Sequence, residues 1–467
     1  MHAPIRPTSS RWLTLAAMSL GYGVVQLDVT IVNVAIASIG TAFAGGVAAL
    51  QWVVNAYTIA FAALILTAGA LGDRIGAKRV FMAGFAIFTA ASLACAVAPT
   101  LAILIAARAV QGLAAAILVP SSLALLNHAY PSDAERGHAV AVWAAGASLA
   151  LTAGPLAGGT LITVAGWRSI FLVNIPIGLI GLWLTWRNAD ETPKSAQRQL
   201  DLRGQATTIV ALGCLAGAII EGGTLGWTNG LVIAGLAAAL IAALAFLLIE
   251  RGGAQPMLPL GLFRNRQFST TALIGLLVNI AFYGLIFVFS LYFQQSEGMS
   301  ALHTGLAFVP IMAAVFVPNL VAPRIAARIG SGWTIAAGAL IAAASGITMR
   351  GIDHGTGYAA IVAPLMAVGA GLGLLVPPLT STLLGSVDKS RSGVAAAVLN
   401  SMRQTGSVLG VALFGSLVAS AGIIPGLRLA LILAAALLTA SAAASMIGIP
   451  RNEKAASAAR ATDRSLT

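Results

Sequence analysis

A short basic segment recurs in the chain, and this repeat restricts the possible folds more than any other feature. Residues 69–79, GALGDRIGAKR, join two long apolar runs. A degenerate copy, NLVAPRIAARI, follows 250 positions later at 319–329 and aligns Arg74 with Arg324. A basic turn that recurs between apolar runs predicts two halves of similar build, each crossing a bilayer several times, which is typical of transporters.

The composition places most of the chain in lipid. Hydrophobic residues make up 58% of it and charged residues 9%, whereas soluble domains carry about 25% charged residues. The net charge of +12 stands in short connectors and not on one soluble domain, so nucleic acid is not an expected partner. Cys95 and Cys214 both lie in apolar runs and predict neither disulfides nor a metal site.

The apolar runs predict an all-α integral membrane protein with fourteen transmembrane helices, at about 20 residues per span. Their expected limits are 12–39, 50–71, 80–98, 101–127, 138–164, 168–187, 204–222, 229–249, 268–294, 302–322, 332–350, 358–384, 393–421 and 427–448.

A second set of repeated residues divides these helices into two groups of six. Val119-Pro120 is repeated as Val376-Pro377, and the following helix repeats three glycines at an offset of 256. The seventh and eighth helices have no counterpart and are interpreted as an insertion. The predicted division is a six-helix bundle at 1–187, a linker at 188–203, two inserted helices with a connector at 204–266, a six-helix bundle at 267–450 and a tail at 451–467.

The distribution of Lys and Arg predicts the orientation. With the N-terminus inside the cell, 21 of the 26 basic residues fall in inner loops and tails, and Arg168, Arg350 and Arg428 fall outside. Inner loops of membrane proteins carry this excess of positive charge. We therefore expect a multi-pass protein of the inner cell membrane with both termini in the cytoplasm. The first apolar run is too long for a removable signal peptide.

Two opposite charges within the apolar runs are the main candidate functional residues. Asp28 lies sixteen residues past Trp12 in the first helix, and Arg108 lies seven residues into the fourth. At 1.5 Å per residue the two reach a similar depth, although a charge at the centre of a helix costs about 2.5–3.5 kcal/mol. We expect them to pair and to carry a proton, with Asn33 and Gln111 extending the polar cluster. The alternative is a static ion pair that only fixes helix packing.

A third intramembrane charge, Arg403, lies in the thirteenth predicted helix beside Asn400. Both are candidates for the substrate cavity, together with Asn33 and Gln111. A snorkelling or backbone-capping role for Arg403 is the alternative.

The segment GPLAGG places small residues in the fifth helix, at Gly154, Pro155, Gly158 and Gly159. Small residues let two helices approach closely, and a proline removes a backbone donor. Close packing here would suit a seal that opens on one side of the membrane. Ordinary small-residue packing is the alternative.

These motifs together resemble the fourteen-helix drug:proton antiporter branch of the major facilitator superfamily, and in particular exporters of the methylenomycin A resistance type. The likeness covers nearly the whole chain and rests on LDVTIVNVAI at 27–36, GALGDRIGAKR at 69–79, Arg108, Gln111 and Gly112 in RAVQG, the GPLAGG segment, WRSIFLVNIPIG at 167–178 and EGGTLGW at 221–227.

The resemblance implies alternating access, with two six-helix bundles rocking around a midplane cavity. It implies that Asp28 is the coupling carboxylate, with Arg108 beside it, and that the proton is the coupling ion without any other cofactor. It assigns a cytoplasmic gate to Gly69, Asp73, Arg74, Gly76, Lys78 and Arg79.

The expected cargo is a small lipophilic or amphipathic organic compound, because the interior is apolar with few fixed charges. The alternatives are a proton-coupled symporter for a small nutrient, against which the antiporter motif argues, and a non-transporting membrane sensor on the same scaffold. An enzyme is not expected, because the chain shows no nucleophile and base pairing and no metal-ligand cluster.

Overall fold

A computed structural model of the chain describes residues 8–194, 201–253, 257–388 and 391–450. Within these ranges the chain is helical and contains fourteen helical spans long and apolar enough to cross a membrane. The predicted all-α class and the number of spans are confirmed. The predicted tail at 451–467 and the part of the predicted linker at 195–200 lie outside the described residues.

The helices are numbered in chain order, and the sixth span is divided at Val173 into two pieces, α6 and α7. The bounds are α1 Thr8–Phe43, α2 Val47–Ile75, α3 Ala77–Ala96, α4 Leu101–Ala129, α5 Asp133–Ala165, α6 Ser169–Leu172, α7 Asn174–Asn188, α8 Leu202–Leu225, α9 Gly230–Gly252, α10 Arg266–Leu291, α11 Ala301–Ile329, α12 Ser331–Thr348, α13 Tyr358–Gly385, α14 Ser392–Ala421 and α15 Ile423–Gly448. Short 3-10 turns at Leu260–Arg264 and Met349–Gly351 and a π turn at Tyr292–Ser296 complete the description.

The internal repeat has a different register from the predicted one. Gly76 joins α2 to α3 with φ of 104°, and Gly330 joins α11 to α12 with φ of 90°. Glycine adopts such positive φ values without the penalty of a Cβ atom, so these two junctions are equivalent. The equivalent triplets Arg-Ile-Gly end at these two glycines and are offset by 254 residues. The offset of 250 was therefore wrong, because it placed Gly76 on Ala326, which lies inside α11.

The end of α11 explains that error. The predicted helix ended at residue 322, just before Pro323, but α11 contains Pro318 and Pro323 and continues to Ile329. Membrane helices tolerate proline because neighbouring helices and local adjustments satisfy the freed backbone groups.

The two groups of six spans have the same internal packing. In the first set, α1–α7, α1 packs on α5 and α7, α2 packs on α4, and α3 packs on α4 and α7. In the second set, α10–α15, α10 packs on α14 and α15, α11 packs on α13, and α12 packs on α13 and α15. A Cβ atom on Gly112 would overlap the Tyr57 carbonyl, and one on Gly369 would overlap the Ile311 carbonyl. Backbone contact through glycine therefore recurs at equivalent crossings.

The two additional spans, α8 and α9, pack on each other, and α8 also packs on α2 and α14. A Cβ atom on Gly223 would lie 2.7 Å from the Ser416 backbone, so α8 and α14 are close at this level. The hairpin of α8 and α9 therefore contacts one helix from each set.

The bundle is joined at one end and divided at the other. We call these the Gly422 end, where α14 turns into α15, and the Gly76 end, where α2 turns into α3. Toward the Gly422 end a single apolar core includes residues of both sets, such as Ile36 and Phe293. Toward the Gly76 end there are two separate cores, one in each set. Leu66 of α2 packs against both, and Tyr283 of α10 packs against the core of the first set.

Candidate functional site

The buried ion pair of Asp28 and Arg108 lies inside the first set. Asp28 in α1 is fully buried and Arg108 in α4 is 1% exposed. Arg108 Nη1 donates a hydrogen bond to Asp28 Oδ2. The structure therefore brings together the two charges that the depth of their helices predicts to be neighbours.

Neutral amides complete the surroundings of the carboxylate. Gln111 Nε2 donates to Asp28 Oδ1 at 2.9 Å, and Asn174 Nδ2 donates to the same oxygen at 3.2 Å. Both amides also contact Ser92 Oγ, at 2.8 and 3.3 Å. Each oxygen of the carboxylate thus has a donor, and all of these donors belong to the first set.

The break in the sixth span positions one of these donors. The chain turns at Val173, and α7 begins at Asn174, so this fully buried amide stands at the first residue of a helix. Broken membrane helices occur at ligand and ion sites because their exposed ends and side chains point into the protein.

The guanidinium of Arg108 is held on several sides. Its Nε donates to the Val53 carbonyl at 3.2 Å, and its Nη1 also donates to Gln111 Oε1 at 2.7 Å. Its Cζ lies 4.3 Å from the centre of the Tyr57 ring. Cation–π contact and charge-assisted hydrogen bonds both stabilise a buried cation.

A small cleft between the two sets reaches the other side of Arg108. It is narrow, with about 10 Å³ open to the centre of a water molecule, which is room for about one water molecule. Its lining residues are Val29, Asn33, Val54, Tyr57, Thr58 and Arg108 of the first set and Tyr283, Ser407 and Val411 of the second set. Asp28 does not line this cleft, so the arginine lies between the carboxylate and the space shared by the two sets.

Asn33 belongs to the cleft and not to the ion-pair network. Its Nδ2 donates to the Val29 carbonyl at 2.9 Å, and its Oδ1 is buried without a hydrogen-bond partner among the described residues. The prediction that Asn33 extends the Asp28 cluster was therefore wrong. Five residues of helix turn a side chain by about 140°, which directs Asn33 away from the Asp28 face.

Arg403 and Asn400 lie on α14 and are half-buried. The Arg403 guanidinium interacts electrostatically with the hydroxyl groups of Tyr22 and Tyr283, and the second of these residues lines the cleft. Arg403 therefore faces the space between the sets. Within the described ranges, the structure does not bring it or Asn400 into hydrogen-bonding contact with Asp28.

The GPLAGG segment contacts two different helices through its glycines. A Cβ atom on Gly154 would overlap Thr30 Oγ1, and one on Gly158 would lie 2.8 Å from the Ile31 side chain, so both face α1. A Cβ atom on Gly159 would lie 2.6 Å from the Ala301 carbonyl, so this glycine faces α11. The segment thus joins the first set to the second set toward the Gly422 end.

The equivalent contact in the second set involves a glutamine. Gln51 Nε2 in α2 donates to the carbonyls of Val411 and Ala412 in α14, at 2.7 and 2.8 Å. A Cβ atom on Gly415 would overlap this glutamine side chain. The two sets therefore contact each other at two symmetric places near the same end.

The loop at Gly76 is held by the connector that follows α7. The Lys78 N–H donates to Glu191 Oε1 at 2.9 Å and the Arg79 N–H to Glu191 Oε2 at 3.3 Å, while the Ala77 N–H donates to Thr192 Oγ1 at 2.9 Å. These are free amides at the start of α3, where a carboxylate is favoured by the helix dipole.

The side chains of this loop extend the same contact. Lys78 Nζ donates to the Trp186 and Ala189 carbonyls at 3.0 and 2.8 Å, and Arg79 Nε lies 3.7 Å from Glu191 Oε2. The connection thus ties α3 to the end of α7 within the first set.

The other predicted gate residues lie on α2 at the same end. A Cβ atom on Gly69 would lie 3.9 Å from Pro120 Cβ in α4. Asp73 is half-buried and Arg74 is exposed.

Sequence reasoning missed four residues of these sites. They are Tyr57, Ser92, Asn174 and Glu191. Asn174 stands in the quoted segment WRSIFLVNIPIG, and Glu191 is an acidic residue of the predicted linker at 188–203. Their partners could be found only once helices distant in sequence were placed together.

Comparison with known proteins adds the following findings. The family described as the Major Facilitator Superfamily matches residues 18–411. Methylenomycin A resistance protein of Streptomyces coelicolor is 39% identical over 401 residues, covering 86% of this chain and 84% of that protein. Multidrug resistance protein Stp of Mycobacterium tuberculosis is 36% identical over 408 residues, covering 87% and 76%.

A solved structure shows a similar fold. The crystal structure of a bacterial homologue of the human lysosomal transporter Spinster, in an inward-facing and unoccupied conformation, has a TM-score of 0.64 at 16% identity. The match covers 95% of this chain and 98% of that chain.

Proposed function

The chain belongs to the major facilitator superfamily, and on this premise we propose that it exports amphipathic organic compounds, including an antibiotic, in exchange for protons. It is an integral multi-pass membrane protein, and the names of relatives that match most of its length state methylenomycin A resistance, multidrug resistance and drug efflux. Proton coupling is our proposal for the driving force, and Asp28 is the carboxylate that we assign to it.

The orientation follows from the basic residues. In the described ranges most Lys and Arg residues lie toward the Gly76 end, whereas Arg168, Arg350 and Arg428 lie toward the Gly422 end. Because cytoplasmic loops carry the excess of positive charge, the Gly76 end faces the cytoplasm. The structure is then closed toward the outside and divided toward the cytoplasm, which corresponds to an inward-facing state.

The position of Arg108 carries the proposed mechanism. In this inward-facing state Arg108 is paired with Asp28 and also lines the cleft between the sets. A proton that binds Asp28 in the outward-facing state removes its negative charge, so the guanidinium loses its ionic partner. Its uncompensated positive charge then repels a cationic cargo from the cleft. When the proton leaves toward the cytoplasm, the pair forms again and the cleft is ready for new cargo. Proton and cargo therefore occupy the protein in turn, as an antiporter requires.

The cleft also indicates the class of cargo. Its walls are mainly apolar and aromatic, and the unpaired Asn33 Oδ1 offers an acceptor to a hydrogen-bond donor. Sites for drug-sized ligands measure about 300–1,000 Å³, so the two sets must part further when cargo enters. A lipophilic compound with one donor group fits this chemistry.

The first test is a susceptibility panel in an exporter-deficient host, with methylenomycin A and several lipophilic cations. The chain is expected to increase resistance to at least one compound. The compound with the largest increase then serves as cargo in everted membrane vesicles. A panel in which the chain changes no susceptibility contradicts the export proposal.

The second test replaces the carboxylate. Asp28→Asn is expected to abolish cargo accumulation driven by a pH gradient, because the site no longer binds and releases a proton. Asp353→Asn makes the same chemical change in a connector toward the Gly422 end and is expected to transport normally. Normal accumulation by Asp28→Asn removes this residue from the mechanism.

A double variant separates coupling from a purely structural ion pair. Asp28→Asn alone leaves Arg108 as a buried, unpaired cation, which costs about 3–5 kcal/mol. Asp28→Asn with Arg108→Gln removes both charges and is expected to restore folding but not proton-driven accumulation. Restored accumulation in the double variant would show that the pair only holds helices together.

A further inference from the structure

A second pair of carboxyl groups lies at the Gly76 end of the α8 and α9 hairpin, away from Asp28. Glu250 in the last turn of α9 is 3% exposed. Asp201 precedes α8, and its Oδ1 accepts a hydrogen bond from the Gly204 N–H at 2.8 Å. One residue is therefore buried at the end of a helix, and the other caps the start of the neighbouring helix.

The two carboxyl groups contact each other. Both lie against Gly204, since a Cβ atom there would overlap Asp201 Oδ2 and would lie 3.0 Å from Glu250 Oε1. Asp201 is the side chain whose charge acts on Glu250. Ionised carboxylates are acceptors only, so a hydrogen bond between them requires a proton on one of them.

The remaining contacts of Glu250 do not remove this requirement. Its Oε2 accepts from the Leu258 N–H at 3.0 Å, while its buried Oε1 has no hydrogen-bond donor among the residues that the structure describes. An unpaired acceptor in a buried position costs free energy unless a donor reaches it. Glu250 Oε1, the oxygen that lacks a hydrogen-bond donor, is therefore the one that lies toward Asp201.

No cation compensates the pair within the described part of the chain. The titratable group that interacts with Glu250 there is Asp201, and the other contacts come from the backbone of Met257 and Leu258. Arg203 and Arg251, which follow the two acids in sequence, are exposed. On the side of α2, the neutral hydroxyl group of Thr67 contacts the neighbouring residues Gln205 and Met257. Glu250 is buried and Asp201 is half-buried, and like charges at such short range disfavour ionisation of both carboxyl groups.

We propose that Glu250 and Asp201 share one proton, which makes them a second proton-binding site, separate from Asp28 and reached from the Gly76 end. The site belongs to the inserted hairpin, which has no counterpart in the two six-span sets.

The contacts of the next residue connect this site to α2. Gln205 Nε2 donates to the Ala63 carbonyl at 2.9 Å, and its Oε1 accepts from Thr67 Oγ1. The first turn of α8 is thus fixed to the helix that ends at Gly76. Loss of the shared proton makes Asp201 and Glu250 repel each other, which loosens the start of α8 and its attachment to α2.

Infrared spectroscopy of the purified full-length protein tests the shared proton without any transport assay. At neutral pH the wild-type protein is expected to show the C=O stretching band of a protonated carboxyl group, shifted in D₂O. Glu250→Gln and Asp201→Asn are each expected to remove the intensity of one carboxyl group. Glu221→Gln, at the other end of α8, and Asp28→Asn are the matched controls and are expected to keep it.

A third variant changes neither acid. Gly204→Ala places a methyl group between the two carboxyl groups, so the band is expected to titrate away at a lower pH than in the wild-type protein. Thermal unfolding of each variant shows that it is folded. A wild-type protein without the band, or a band of unchanged intensity in folded Glu250→Gln, overturns the proposal. Either result leaves the export proposal untouched.

Discussion

The two six-span sets share their backbone packing and differ in their chemistry. The helices α4 and α13 align at an offset of 257 through their common Val-Pro pair. Gly112 and Gly369 occupy equivalent places and press against backbone carbonyls of α2 and α11. At the place of Arg108, however, α13 carries the buried Leu365.

The neighbouring position differs in the same way, since Val368 in α13 occupies the place of Gln111. Contacts that form the fold are therefore duplicated, whereas the charged network lies in the first set. One such network is sufficient for the exchange that we propose, because rocking of the two sets would expose the same cleft to each side of the membrane in turn.

The largest effect is expected when Arg108 in the first set is replaced by leucine, the residue type at the equivalent position of the second set. Arg108→Leu leaves Asp28 buried without its cation, which costs about 3–5 kcal/mol of stability. Proton-driven export is expected to fall to the level of vesicles without the protein, measured as cargo accumulation. Leu365→Met, which conserves volume and costs less than about 1.5 kcal/mol, is the matched control. If Arg108→Leu still exports cargo, the charged network of the first set is not required for export, and the two sets do not differ in function at this position.

The shared packing predicts equal sensitivity of two glycines. Gly112→Ala and Gly369→Ala each force a methyl group onto a backbone carbonyl, and such overpacking costs about 1–3 kcal/mol. Both variants are expected to show similarly lowered unfolding temperatures in detergent. A large decrease for one variant and none for the other would mean that the two crossings are not equivalent.

A smaller effect is expected at the two symmetric contacts near the Gly422 end. Gly159→Val and Gly415→Val both push the sets apart where they meet, and each 1.4 kcal/mol lost there raises the outward-open fraction roughly tenfold. The measurement is alkylation, from the outer side, of a cysteine introduced by Asn33→Cys in a chain lacking Cys95 and Cys214. Faster alkylation is expected in both variants, and an unchanged rate in either one shows that its contact does not hold this end closed.

The smallest effect is expected for the exposed ion pair of the second set. Arg428 Nη2 lies 3.2 Å from Asp353 Oδ2, and both side chains are exposed. The His354 N–H and the Arg428 guanidinium hold the pKa of Asp353 below its usual value. A lowered pKa stabilises the folded state above the pKa of the unfolded chain, about 3.9, and this stability is lost as the pH falls further.

Unfolding temperatures between pH 3 and pH 6 check this prediction. Asp353→Asn is expected to lower the unfolding temperature slightly at neutral pH, where the ionised carboxylate contributes, and to remove the part of the acid-induced decrease that the wild-type protein shows as the pH falls toward 3. A decrease at neutral pH as large as that of Arg108→Leu would mean that exposed and buried pairs of the same residue types contribute alike.

Much of this arrangement could be predicted from the sequence, because charges in apolar runs are expensive and few. The span count and the common depth of Asp28 and Arg108 followed from helix rise and bilayer thickness alone. The position of Asn174 could not be predicted, since it depends on a break inside an apolar segment that reads as one continuous helix. The role of Glu191 depends on contact between segments more than one hundred residues apart.

Two errors have simple physical causes. The register of the repeat was set by basic residues, but the glycine with positive φ marks each junction. Asn33 was grouped with Asp28 by closeness in sequence, although helical rotation turns it toward the cleft. The register of a repeat is therefore better assigned from backbone conformation, and the neighbours of a helical side chain from its rotation around the helix axis, than from residue type.

Drug-induced proton movement in proteoliposomes tests the assignment of Asp28 most directly. Vesicles contain the cargo identified in the panel and a pH-sensitive dye, and the cargo flows down its own gradient. The wild-type protein is expected to move protons in the opposite direction, whereas Asp28→Asn is expected to carry cargo without moving protons. If Asp28→Asn moves as many protons per molecule of cargo as the wild-type protein, the assignment is contradicted.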